Sequence, residues 1–183
     1  MKHYWKPFID LLIVSLAIAA PSRAQEAGAV AQTKILDLVY RVEDVGGKVE
    51  SLEVKETPTE VRIDLAADVL FDFDKADLLP KAQQTLSQAA DIIRNKAKGK
   101  VRIEGYTDAK GSDSYNQRLS ERRAVVVETW FKTKGDLKAI AFVTEGFGAR
   151  NPIARNAKPD GSDDPNGRQK NRRVEIIIQK TSS

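Results

Sequence analysis

Cysteine is absent from this chain of 183 residues, and histidine occurs once, at position 3. Without cysteine there is no disulfide framework, no thiol nucleophile, no thiolate metal ligand and no acylatable lipoprotein cysteine, so an export signal here delivers a product without a lipid anchor. Aromatic residues are sparse at 7%, and the one long apolar stretch is Leu11 to Ala20, interrupted by Ser15. It is too short for a spanning helix, which needs ~20 residues. The basic opening Met1-Lys2-His3-Tyr4-Trp5-Lys6 precedes it and Ser22-Arg23-Ala24 follows. That order of basic, apolar and small residues predicts a secretory signal over residues 1–24, cleaved after Ala24, with a retained membrane anchor as the competing reading. Cleavage removes Lys2, Lys6, Arg23 and Asp10, leaving 27 basic against 25 acidic side chains, a net charge of +2. His3 leaves as well. The mature chain is then excluded from Ser-His and Cys-His nucleophile pairs, histidine metal sites and imidazole acid–base chemistry.

What remains, 41% hydrophobic and 31% charged over the whole chain, predicts one mixed α/β domain behind a lead segment over residues 25–60. Residues 25 to 34 are rich in Ala, Gly and Gln, and Ile35 to Val45 is mildly apolar without a readable period. Val49, Leu52 and Val54 precede the breaker Thr57-Pro58-Thr59. Val61, Ile63 and Leu65 then alternate with Arg62 and Asp64, the period of a half-buried hairpin strand. A loop carries Val69 to Asp77, and Pro80 opens a helix whose apolar side is Ala82, Leu86, Ala89, Ala90, Ile92 and Ile93, ending at Gly99. Val101 to Tyr106 is a strand running into Thr107-Asp108-Ala109-Lys110-Gly111, with Ser112 capping a second helix that reaches Lys134-Gly135. Ile140 to Gly148 reads as a strand, residues 149–171 as a polar loop and Val174 to Ile178 as the closing strand.

The second helix carries an anomaly. A helical wheel puts Leu119, Val126, Trp130 and Val127 on the buried stripe, and Arg123 and Asn116 fall against it. A buried guanidinium needs a partner. Helical side chains lean toward the N-terminus, which directs Arg123 toward the loop bearing Asp108 and predicts an Asp108/Arg123 pair. Two readings stay open at this point: a structural salt bridge pinning loop to helix, or a clamp for a zwitterionic amino-acid head group, the carboxylate taking an ammonium and the guanidinium a carboxylate, with Asn116 able to serve either charge.

Gly105-Tyr106-Thr107-Asp108, Gly111, Tyr115-Asn116, Leu119-Ser120-Glu121-Arg122-Arg123-Ala124, Gly146-Phe147-Gly148, Pro152 and Asn171-Arg172-Arg173-Val174-Glu175-Ile176 together resemble the C-terminal peptidoglycan-binding domain of outer membrane protein A, found also in the peptidoglycan-associated lipoprotein and flagellar stator proteins. The match covers residues 61–180 in order and spacing. It implies an α+β sandwich, a mixed sheet with helices packed on one face, and places Asp108 and Arg123 on the free amino-acid end of diaminopimelate in the wall's stem peptide. Thr107, Asn116 and Arg172 are implied around that end. Phe73, Asp74, Ala76 and Leu119 are candidates too. For Phe73, Asp74, Ala76, Leu119 and Arg172 a plain role stands beside the implied one: core aromatic, loop or turn residues, apolar stripe and strand-start charge. Three features depart from the family pattern: the 36 residues of the lead leave no room for an eight-stranded barrel, no lipid-bearing cysteine exists, and Ala149 follows the Gly-Phe-Gly turn where an acidic residue is frequent.

Other motifs carry less. Asp72, Asp74 and Asp77 have the look of paired glycosidase carboxylates, but aspartates before a Pro-opened helix serve as caps and turn formers. Residues 160–171 evoke a calcium loop, yet Pro165 stands at the required glycine and Asn171 at the bidentate glutamate, so a flexible loop and no metal site is expected. The basic run Arg168 to Arg173 resembles a nucleic-acid footprint, against which export and near-neutral charge argue. The expectation is a periplasmic, non-enzymatic module that binds peptidoglycan, needs no cofactor, contacts no nucleic acid and links the wall to the outer membrane or another envelope protein. The rivals are a wall hydrolase using loop carboxylates and a partner-docking protein whose wall binding is secondary.

Overall fold

A computed structural model describes residues 38–40, backbone only, and 52–180; the expected signal and most of the lead lie outside the described residues. Six strands form one sheet in the order β1-β2-β3-β6-β4-β5. β1 is Leu38–Tyr40, β2 Leu52–Glu56, β3 Glu60–Ala66, β4 Val101–Gly105, β5 Phe142–Gly146 and β6 Arg173–Gln179. The helices are α1 Ala67–Leu70, α2 Ala82–Lys96, α3 Asp113–Thr133 and α4 Pro165–Asn171. No described helix is long and apolar enough to cross a membrane.

The period-two reading of residues 61–65 as a hairpin strand holds: β2 and β3 pair antiparallel with Val54 opposite Ile63, the breaker forming the turn in which the Thr57 hydroxyl accepts from Glu60 N at 3.0 Å. β4 and β5 run parallel, joined through α3 as the crossover helix that such a pair requires. One face of the sheet, with Val61, Ile63, Leu65, Val101, Ile103, Val174, Ile176 and Ile178, packs on Leu86 and Ile93 of α2 and Val127 and Phe131 of α3 in a single core. The helices thus cover one face, as expected.

The opposite face is ionic. Glu53, Asp64, Glu175 and Glu104 stand side by side on four neighbouring strands, an arrangement that would repel were it not bridged by Lys55 to Asp64 at 3.1 Å, Arg62 to Glu175 at 3.0 Å, Arg173 to Glu175 at 2.6 Å and Arg102 to Glu104 at 3.3 Å.

Three segments differ from expectation. The unassigned apolar stretch supplies β1. The loop after β3 contains α1, whose first amide, Ala67 N, donates to Arg172 O at 3.0 Å. The polar loop of residues 149–171 ends in α4, because Asp164 caps Gly167 N at 2.9 Å and Pro165 supplies the first helical residue. Asn171 is the physical reason the rest of that loop is ordered: fully buried, its Oδ1 accepts from Ile153 N and Ala154 N at 2.9 Å each.

The buried face of α3 is rotated from the predicted stripe. It runs Asn116, Leu119, Ser120, Arg123, Ala124, Val127, Phe131, with Val126 and Trp130 packed at its edge. Two glycines cause this. Gly105 and Gly146 are paired across β4 and β5; a Cβ on Gly105 would strike the Ser120 carbonyl, and one on Gly146 would strike Glu121 N and the Ser120 hydroxyl. The helix therefore rests backbone to backbone on the sheet at Ser120, whose hydroxyl accepts from Gly148 N at 2.9 Å.

Candidate functional site

β6 lies between β3 and β4, antiparallel to both, so its first residue emerges where the other two strands end: Arg173 is opposite Ala66, and Val174 opposite both Leu65 and Gly105. That topology puts Arg172 between the segment after β3, which carries Asp68, and the segment after β4, which carries Asp108. Both respond. Arg172 Nε and Nη2 donate to the two Asp68 carboxylate oxygens at 3.0 and 2.7 Å, and Nη1 donates to Asp108 Oδ2 at 2.8 Å. Arg168, four residues earlier and one turn back on α4, reaches the same Oδ2 at 3.3 Å while forking onto Asp163 at 2.8 and 2.6 Å. Asp108 Oδ1 accepts from Lys110 N at 2.9 Å. Burial alone pushes the Asp108 carboxyl up, but the Lys110 amide and the two guanidiniums outweigh it and hold the group below the usual carboxylate range.

The predicted Asp108/Arg123 pair is therefore not formed; Arg172 and Arg168 take its place. Arg123 is only 4% exposed. Its Nε donates to Lys75 O at 2.9 Å and its guanidinium lies over the Phe71 ring, 5.1 Å from the centroid. Neither Nη has a hydrogen-bond or ion-pair partner among the described residues, nor is either fully enclosed by protein. Burial lowers its pKa, partly offset by Asp68 and Asp74, while Arg172 pushes in the same direction as burial. The wheel found a buried arginine but gave it the wrong partner, because the rotated seat of α3 aims it at the 72–77 loop.

The remaining candidates fall into two groups around these charges. Thr107 and Asn116 shape the Asp108 loop: Thr107 Oγ1 donates to Asp108 O at 3.0 Å, and Asn116 Nδ2 donates to Lys110 O at 3.0 Å and to Asp108 O at 3.4 Å. With its amide so engaged, Asn116 is a loop brace. Asp74 and Ala76 belong with Arg123. Asp74 has a φ of 60° and accepts from Tyr115 Oη at 2.7 Å, and both residues line a cavity of about 690 Å³ with Lys75, Asp77, Glu121, Arg122, Val125 and Val126. That cavity flanks the 72–77 loop and is lined by none of Asp108, Arg123 or Arg172. Leu119 is buried on α3. Phe73 is not a core aromatic: it is 85% exposed, because the loop residue before it, Asp72, turns the chain outward by accepting from Phe73 N at 2.9 Å.

Asp68, Arg168 and Tyr115 were not among the candidate site residues, Arg168 being read only within a basic run and Tyr115 only within the family motif. The Asp164-Pro165 pair was a legible helix start that would have placed Arg168 and Arg172 on one face at i and i+4; nothing local marks Asp68. Behind the site Tyr106, whose ring lies 3.8 Å from the Arg173 guanidinium and stacks on Phe147 at 5.2 Å, donates from its hydroxyl to Glu104 at 2.7 Å. The basic run thus has its arginines engaged within the fold.

Residues 70–165 match the model of the OmpA family. The chain is 37% identical over 179 residues, 98% of its length, to a stretch making up 20% of the photosystem I P700 chlorophyll a apoprotein A2 of Gloeobacter violaceus. It is 40% identical over 124 residues to outer membrane protein A of Bordetella avium (68% of this chain, 60% of that protein) and 38% over 110 residues to the peptidoglycan-binding protein ArfA of Mycobacterium tuberculosis (60% and 32%). The chain thus spans less than two thirds of each of these relatives. Among solved structures, the cell wall anchor of the T6SS from Pseudomonas aeruginosa is similar with a TM-score of 0.58 at 30% identity, over 71% of this chain and 88% of that one. With the sheet order, the glycine seat of α3 and the Asp108 loop in place, the family match over these residues makes the chain a member of the OmpA family.

Proposed function

We propose that this chain binds peptidoglycan non-covalently, through the free amino-acid end of diaminopimelate in the stem peptide, and so tethers the wall to the outer membrane or to a periplasmic partner after export. The observation that carries this reading is Arg123. A guanidinium 4% exposed, with one bond to a carbonyl and both Nη groups unpaired, is costly unless an anion completes it. A ligand carboxylate does so bidentately, and the acidic groups Asp68 and Asp74 that act on Arg123, with Asp108 joined to Asp68 through Arg172, suit an ammonium on the same ligand. The names of similar proteins, a peptidoglycan-binding protein and a cell wall anchor, support the same ligand, and an outer membrane protein among them supports the location.

Binding without catalysis is part of the proposal. A glycosidase pair needs one carboxyl held protonated near neutral pH. Asp72 is instead held below its usual range by Lys75 and the Phe73 amide, Asp108 lies below its own, and Asp74 accepts from Tyr115.

Cosedimentation of the mature chain with purified sacculi tests the reading. Arg123→Ala and Asp108→Ala are expected to leave the pellet while keeping the wild-type circular dichroism spectrum, and prolonged incubation is expected to release no soluble muropeptide. Full binding by folded Arg123→Ala, or fragment release above a no-protein control, would overturn it.

A further inference from the structure

Asp108 is the carboxylate that the proposed ligand's ammonium approaches, yet two cations of its own chain already occupy it. They are held unequally. Arg172 is anchored at both ends of its fork to Asp68 and at its carbonyl by Ala67 N, and it meets Asp108 Oδ2 at 2.8 Å. Arg168 meets the same oxygen at 3.3 Å, a weak contact, and makes its two short bonds to Asp163. Asp163 belongs to the 155–164 segment, which also touches the Asp108 loop through Asn156 Oδ1 to Ala109 N at 3.2 Å and Lys110 Nζ to Asp163 at 3.7 Å. An arriving ammonium therefore has a group to displace, and it is Arg168: released from Asp108, that guanidinium keeps a bidentate partner, whereas Arg172 is fixed by the sheet topology.

Displacement has a consequence for selectivity. A ligand offering an ammonium alone exchanges one cation for another at Asp108 and gains nothing elsewhere. A ligand offering ammonium and carboxylate together completes the unpaired Nη groups of Arg123 while it displaces Arg168. Resting on the stem-peptide reading above, we infer that Arg168 is a specificity-determining residue: still held near Asp108 by Asp163 after displacement, its charge repels a net-positive ligand bearing a lone ammonium more than a zwitterionic one, whose carboxylate offsets the repulsion. Discrimination then comes from a repulsive element built into the free site as well as from an attractive one. The acidic group that keeps Arg168 off a stronger bond with Asp108 is Asp163.

The test measures binding of the mature chain to two kinds of sacculi, one with diaminopimelate and one with lysine in the stem peptide. Arg168→Gln removes a charge beside the incoming ammonium and is expected to raise binding to lysine walls about tenfold, with a smaller gain on diaminopimelate walls, so the ratio between them falls. Arg168→Lys keeps the charge and is expected to keep the wild-type ratio. Asp163→Asn leaves Arg168 without its other partner, presses it onto Asp108 and is expected to weaken binding to both walls. Opposite directions for Arg168→Gln and Asp163→Asn are the signature, since a strap that merely braced the loop would lose binding in both. An unchanged wall ratio in Arg168→Gln, or loss of diaminopimelate binding by that variant with an unaltered unfolding temperature, overturns the inference, the latter by showing that Arg168 grips the ligand's carboxylate. Asp108→Ala in the same series reports separately on the stem-peptide reading, because it removes binding whatever Arg168 does.

Discussion

Asp108 sits on the loop before α3 and Arg123 on the buried face of α3 itself, and their environments are opposites. Asp108 accepts from a backbone amide and two guanidiniums, and its charge is stabilised. Arg123 has one carbonyl and one aromatic face, and burial works against its charge. Charge pairing makes the first a part of the framework even without ligand. The second has no such pairing among the described residues, and in the proposed reading its anion comes from the ligand. A pair expected to be symmetric is thus divided: one member is tied into the fold by charge, and the other is not.

The sharpest way to break that comparison is Arg123→Met, which keeps an apolar stem over Phe71 and removes the charge. Losing a desolvated charge contact costs ~2 to 5 kcal/mol in binding, so sacculus affinity is expected to fall by at least an order of magnitude. Replacing an unpaired buried cation by an apolar side chain is often neutral or stabilising, so the thermal midpoint is expected to hold or rise. A large drop in midpoint would mean that Arg123 is a framework residue like Asp108.

Next in size is the seat of α3. Gly105→Val forces atoms into the Ser120 carbonyl, and overpacking of this kind costs about 1 to 3 kcal/mol. Denaturant unfolding is expected to show that loss, with binding reduced as well because Arg123 and Asn116 ride on the displaced helix. Unchanged stability would remove the reason given for the rotated stripe.

A subtler distinction is acid sensitivity. Because the folded Asp108 carboxyl lies below its usual value, the unfolded chain binds the proton more readily; its contribution is present above the unfolded pKa of ~3.9 and is lost as pH falls through the lower folded value. Asp108→Asn is expected to flatten the stability–pH curve below that point, measured by urea unfolding across the acid range. Arg123→Met is expected to leave that part of the curve as it is.

The smallest effect is assigned to the loop acids. Asp72→Asn, at an exposed position, and Asp77→Asn are expected to leave both wall binding and the absence of fragment release unchanged. Loss of a wall-cleaving activity in either would restore the hydrolase.

Much of the fold was legible. Alternation marked β3 and β4, Ser112 marked the start of α3 by capping Tyr115 N, and the apolar side of α2 was read almost residue for residue. The polar segment before β6 was not legible as ordered, because its organiser is a single buried side chain, Asn171, whose partners lie 17 and 18 residues away. Around the candidate site the contacts were less legible: Asp68 and Arg168, which join the ion pairs with Arg172 and Asp108, were not singled out, and Arg123 was given a partner it does not meet.

The division follows from range. Strand period and caps are set by neighbours within a turn or two, so the sequence by itself determined the longer elements, most of the apolar core and the family. Which guanidinium meets which carboxylate was decided by tertiary structure alone. Arg172 reaches Asp68 and Asp108, 104 and 64 residues away, only because β6 inserts between β3 and β4. Arg123 turns from Asp108 to Lys75 O because Gly105 and Gly146 let α3 settle at Ser120. Charge pairing at such distances depends on strand order and helix depth, and neither is written in a local period.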